Sequence, residues 1–141
     1  MAFDTIIGAA GSALNAQLTR LNATASNLAN AGTMAATEAE AFRAKRPVFK
    51  ALVEEQMAQA GSPYKGGVKI DRMVDDPAAP RMVYQPSNPL ANKDGYVFQS
   101  NVSEVSEMVE MMAAARSYQN NVEVINTARQ LMSRTLDITK A

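Results

Sequence analysis

Residues 101–141 contain neither glycine nor proline, and no other feature of the sequence constrains the fold so strongly. Glycine costs about 1 kcal/mol and proline about 3 kcal/mol in a helix interior, so a stretch lacking both is predicted as one long helix. The apolar pattern agrees. Met111, Tyr118, Ile125 and Met132 fall seven apart, with Met108, Ala115, Val122 and Leu136 beside them and Arg129 interrupting the second series. This is the pattern of a helix that packs along its length against other helices. Asn101 and Glu104 read as a capping box that starts it. Glu104, Glu107 and Glu110 near the start, and Arg129, Arg134 and Lys140 near the end, complement the helix dipole.

Residues 1–33 repeat the theme. Ile7, Leu14, Leu21 and Leu28 are seven apart, Leu18 and Ala25 widen the stripe, and Asn30 and Gly32 supply stop chemistry. A second stripe of Ser12, Asn15, Thr19, Asn22, Ser26 and Asn30 carries small neutral hydrogen-bonding groups where a solvent face normally carries Lys and Glu. It is read as a face that packs closely against another chain. A membrane-surface helix needs a basic polar face, and Arg20 is the only basic residue here.

Size sets the architecture. A helix over 101–138 is about 57 Å long, whereas a compact globule of 141 residues is about 40 Å across. The expected fold is therefore mainly α. Long N- and C-terminal helices form an extended antiparallel pair or coiled coil, with a small β-rich insertion between them. Much apolar surface then lies where only oligomerisation covers it.

The middle zone, 34–100, holds all six prolines. Alternation over Tyr64–Ile70 and the run Arg81-Met82-Val83-Tyr84 read as strands, and the Asp94-Gly95 turn leads to a third at Tyr96-Val97-Phe98. The Ala/Glu-rich segment 34–45 reads as helix. The expected organisation is thus an N-terminal helix in 1–33, a linker and β-rich insertion in 34–100, and a C-terminal helix in 101–141.

Composition removes most chemistry. The chain has no Cys, His or Trp, so thiol nucleophiles, disulfides, imidazole triads and the usual zinc and haem sites are excluded. Fourteen basic residues balance fourteen acidic ones, and no net charge draws the chain to nucleic acid or anionic lipid. No stretch approaches the roughly 18 apolar residues of a membrane span. Met1-Ala2-Phe3-Asp4 places an acid where a secretory peptide carries basic residues, so no cleaved signal is expected.

The remaining constellations are structural. Asn92, Asp94 and Gly95 lack the spacing of a calcium loop and read as a turn, as does Gly66-Gly67. Arg43, Lys45, Arg46 and Lys50 are followed by Glu54 and Glu55 and read as a solvated face. Glu104, Glu107 and Glu110 read as dipole partners, without a His to complete a metal site. No catalytic, metal or cofactor-binding residue is assigned, and no cofactor is expected.

Longer motifs carry a resemblance. Leu21-Asn22-Ala23-Thr24-Ala25-Ser26-Asn27-Leu28-Ala29-Asn30 resembles the N-terminal signature of the bacterial flagellar axial proteins. Tyr84-Gln85-Pro86-Ser87-Asn88-Pro89, Asp94-Gly95-Tyr96-Val97, Asn101-Val102, Glu107-Met108-Val109-Glu110-Met111, Ala115-Arg116-Ser117-Tyr118, Asn121-Val122 and Leu136-Asp137-Ile138 are similar to the C-terminal part of the rod branch. The resemblance covers roughly residues 1–33 and 80–141. It departs at Ala31-Gly32-Thr33-Met34-Ala35-Ala36, where the family tends to carry a Thr- and Pro-containing loop leading to a Tyr-Arg-rich stretch.

The resemblance implies a structural subunit of the proximal rod, a hollow drive shaft in the periplasm. Such subunits are exported by the flagellar type III apparatus without signal cleavage, and pack through their terminal helices to transmit torque. Its implied partners are copies of itself, other rod subunits, membrane-ring junction proteins and the export apparatus, without nucleic acid or membrane insertion. The expected interface is Ile7, Leu14, Leu21 and Leu28 with Met108, Met111, Tyr118, Val122, Ile125 and Met132. Asn22, Asn27, Asn30 and Asn121 are candidates for fixing register through hydrogen bonds. Two other classes stay open: a soluble helical adaptor or export chaperone of a type III secretion system, and a carboxylate enzyme with a pocket holding two acids.

Overall fold

In the computed structural model, residues 2–52 and 66–140 are described. Helix α1 spans Ala2–Ala29 and helix α2 spans Glu104–Lys140. Between them lie β1 (Met34–Ala35), β2 (Lys45–Leu52), β3 (Gly67–Asp75), β4 (Arg81–Tyr84) and β5 (Tyr96–Gln99). The expected plan of two terminal helices around a small β insertion is the one observed.

Strands β1, β5 and β4 form an antiparallel sheet in that order, with Met34 opposite Gln99 and Val83 opposite Val97. Strands β2 and β3 pair separately. The turn into β5 is held by Asn92, whose Oδ1 accepts from Asp94 N at 3.0 Å and Tyr96 N at 2.9 Å. Gly95 adopts φ +80°, the left-handed conformation that a side chain disfavours. The strand expected from Tyr64 begins at Gly67, and Tyr64 and Lys65 lie outside the described residues.

Three local expectations are corrected. Residues 34–45 are not helical. Met34 and Ala35 join the sheet, Ser100 N donates to Thr33 O at 3.1 Å, and the Ser100 hydroxyl donates to Ala31 O at 2.7 Å. Ala41 and Ala44 are buried, so alanines with high helix propensity serve here as small core residues, and tertiary packing overrides the local preference.

Asn101 does not cap α2. The helix starts at Glu104, with Ser103 as the preceding residue and Glu107 N donating to Ser103 O at 2.9 Å. The Asn101 side chain instead accepts from Ala44 N at 2.8 Å and donates to Ala78 O at 2.7 Å. Gly32 is not the left-handed stop of α1 either, since positive φ among the described residues is confined to Gly66, Gly67 and Gly95. The helix closes by a tightened last turn, with Ala31 N donating to Leu28 O at 3.2 Å, and by Asn30 Nδ2 donating to Ser26 O at 2.8 Å.

The chain forms two compact units. One comprises Arg20–Pro47 and Met73–Met112, the other Met1–Thr19, Val48–Arg72 and Ala113–Ala141. Ala31, Ala44 and Val102 form a cluster in the first, with Phe42 packed against it, and Val97 is fully buried. In the second, the buried apolar side chains among the described residues are Ala10, Ala16, Ala114 and Ala128.

Candidate assembly interface

Within the first unit, α1 and α2 are joined by polar side chains. Arg20 Nε donates to Glu110 Oε2 at 3.1 Å, and its Nη2 engages the same oxygen. One turn of α2 earlier and two turns of α1 later, Asn27 Nδ2 donates to Glu107 Oε2 at 3.0 Å. The helices therefore run antiparallel here.

Asn27 and Glu107 are both fully buried. Asn27 also donates to Lys45 O at 3.0 Å and accepts from Lys45 N at 2.7 Å, so one side-chain amide joins the start of β2 to both helices. Arg46 Nη1 stands 2.7 Å from Glu107 Oε1. The approach is close enough for charge pairing but off the direction of a hydrogen bond, so Oε1 has no directed donor among the described residues. Arg46 Nε is also 3.6 Å from Asp76 Oδ2. A buried carboxylate is tolerable only with such partners. Glu107 lies in the first turn of α2, as expected of a dipole partner, but it is buried, and Arg46 is partly turned onto it instead of lying wholly on a solvated face.

The candidate stripe has a more specific placement than its spacing indicated. Ile7, Leu14, Leu21, Leu28, Met111, Tyr118, Ile125 and Met132 are all half-buried, whereas Met108 and Val122 are exposed. The driest positions are small or polar: Ala10, Ala16, Ala23, Thr24 and Asn27 on α1, and Glu107, Ala114 and Ala128 on α2. Of the candidate asparagines, Asn27 is buried, Asn30 bonds within its own helix end, Asn121 is half-buried and Asn22 is exposed.

A second apolar strip lies on the other side of α2. Val105, Met108, Val109 and Met112 are spaced i, i+3, i+4 and i+7, and are 73, 49, 55 and 64% exposed. At 100° per residue this strip lies roughly 160° around the helix from Glu107 and Ala114. Beyond it the same side becomes polar, through Arg116, Gln119 and Glu123. In the second unit, Phe3, Ile6, Val124, Ala128 and Leu131, with Asn120, Glu123 and Thr127, line an open groove of about 360 Å³. Its wall is mostly hydrocarbon, and among the described residues Glu123 is the only acidic side chain lining it.

Both ends of the chain match models of flagellar rod proteins. Residues 7–36 match "Flagella basal body rod protein", and residues 93–138 match "Flagellar basal body rod FlgEFG protein C-terminal". Over 138 residues, 98% of each chain, the sequence is 46% identical to the "Flagellar basal-body rod protein FlgC" of Yersinia enterocolitica, and equally so to that of Salmonella typhimurium. The protein of the same name from Bacillus subtilis is 31% identical over 145 residues, covering 95% of this chain and 96% of its own. The chain belongs to the FlgC family of flagellar basal-body rod proteins.

Proposed function

We propose that the chain is a structural subunit of the flagellar basal-body rod and assembles with other rod subunits through its two terminal helices. The observation that carries this reading is the second apolar strip on α2, Val105, Met108, Val109 and Met112. A helix with apolar strips on opposite sides, one turned to its own chain and one to water, is suited to a further partner. Copies of the chain and neighbouring rod subunits supply that partner. The half-buried stripe from Ile7 to Leu28 and from Met111 to Met132, on the side of α2 opposite that strip, supplies a second contact, with Val122 at its exposed margin and Met108 part of the outer strip.

On this reading the work is mechanical and the chain catalyses no reaction. Torque passes from subunit to subunit through side-chain contacts in the proximal rod. The subunit reaches the periplasm through the flagellar type III export apparatus without signal cleavage and meets the membrane-ring junction proteins at the base. Family membership and the His- and Cys-free composition support this account. Mass spectrometry of purified basal bodies tests it. The chain is expected in the rod fraction, retaining its residues from Ala2 onward, and its absence from that fraction would overturn the proposal.

A further inference from the structure

With no Cys, His or Trp in the chain, methionine is its side chain most open to oxidation by peroxide, through the lone pair on the thioether sulfur. Of the nine methionines, Met1 and Met57 lie outside the described residues. The others differ in access. Met34, Met111 and Met132 are half-buried, and the Met34 sulfur accepts from Asn88 Nδ2 at 3.5 Å. Met73 and Met82 are exposed on β3 and β4. Met108 and Met112 are exposed on α2, one turn apart, and with Val105 and Val109 they make up the outer strip. Half of that strip's apolar character therefore rests on sulfur.

We propose that Met108 and Met112 are a modification site: oxidation of either thioether to the sulfoxide in the free subunit bars that subunit from the rod. The proposal rests on the outer strip being an assembly contact. The oxidant is a hydroperoxide. The sulfur lone pair attacks one peroxide oxygen and the O–O bond breaks. Sulfur keeps that oxygen and loses two electrons, while the other oxygen, reduced, leaves as water when the oxidant is hydrogen peroxide. The product is a polar sulfoxide that accepts hydrogen bonds. In the free subunit it faces solvent, so the fold carries no cost. At an apolar contact it gives up water without gaining a donor, so the cost falls on assembly. Once the contact has formed both sulfurs are covered, and the order of events decides the outcome. Methionine sulfoxide reductases restore the thioether, as two thiols become a disulfide and the oxygen leaves as water.

Peptide mass spectrometry on the full chain tests the proposal in two stages. In dilute hydrogen peroxide, the monomer's Met108 and Met112 are expected to oxidise about five-fold faster than Met34, Met111 and Met132. In flagellated cells the dose is raised until Met82 sulfoxide is plain in the unassembled pool. The chain is then recovered from that pool and from basal bodies. Sulfoxide at Met108 or Met112, taken relative to that at Met82, is expected to be at least about ten-fold depleted in basal bodies. Wild type and Met108→Leu/Met112→Leu, expressed together in one cell, are expected to enter rods equally without peroxide, with the variant favoured after it. Equal strip sulfoxide in the two pools, none in the unassembled pool, or no preference for the variant under peroxide would each overturn the proposal. If Val109→Asp is excluded from rods in those cells, such a failure falls on the modification alone. If Val109→Asp enters rods normally, it falls on the assembly contact itself.

Discussion

Asn27 and Glu107 meet at 3.0 Å, each fully buried, and the same Asn27 amide spans Lys45 N and Lys45 O. A single side chain thus satisfies backbone groups on a strand and a carboxylate on a helix. Asn27→Ala strands all three at once. The expected loss is about 2–4 kcal/mol of unfolding free energy, seen as a lower urea midpoint with an unchanged slope.

Arg46→Ala leaves the Glu107 carboxylate buried without its charge partner. Because the Arg46 side chain is 38% exposed, solvent screening reduces the full cost of breaking a buried pair to about 2–3 kcal/mol. Arg20→Ala is the informative contrast. Its pair with Glu110 is half open to solvent, so a loss below about 1 kcal/mol is expected, and salt should erase it. Equal losses for the two arginines, measured in 0.05 and 1 M salt (about 14 and 3 Å of screening length), would contradict the distinction between them.

Val109→Asp and Met112→Asp separate assembly from folding. Both positions face solvent, so each variant should keep its monomer stability within about 0.5 kcal/mol. On assembly the carboxylate would be buried against apolar surface, at a cost of several kcal/mol. Both should abolish incorporation into basal bodies and swimming on soft agar, with export confirmed separately, while Lys93→Asp in the polar turn should swim normally. Normal swimming of the Val109 and Met112 variants would remove the outer strip from the interface.

Two glycines should respond in opposite directions to alanine. Gly11 lies inside α1 with open space where a methyl group would go, so Gly11→Ala should stabilise the helix by about 0.5–1 kcal/mol. At Gly95 a methyl group would sit 2.8 Å from the Tyr84 ring, with φ at +80°. Gly95→Ala should cost about 1–3 kcal/mol. Thermal unfolding followed by circular dichroism distinguishes the two.

The helices, and the strands at Arg81–Tyr84 and Tyr96–Gln99, were legible because their signals are local: glycine and proline placement, seven-residue spacing, alternation and turn residues. Segment 34–45 was not, because its strand and turns are imposed by partners at Ser100 and Gln99, far along the chain. The buried polar cluster of Asn27, Glu107 and Arg46 was half legible. Asn27 is one of the four asparagines singled out for fixing register, but nothing near Glu107 or Arg46 announces that positions 27, 45, 46 and 107 converge. Glu107 sits where first-turn acids are common, and a buried ion pair has the same local spelling as an exposed one.

The alanines that line the unit containing the outer helix ends have a mechanical meaning of their own. A methyl group fixes how near a neighbouring surface can come, but it has no length with which to hook into a groove. Where Asn27 and Glu107 act as a key that admits one setting, Ala10, Ala16, Ala114 and Ala128 act as a plain bearing surface. Such a surface keeps its clearance when a helix slides by a fraction of a turn. Because these methyl groups are buried within the subunit itself, that tolerance belongs to its own packing: the chain can take up a small shift without opening a gap.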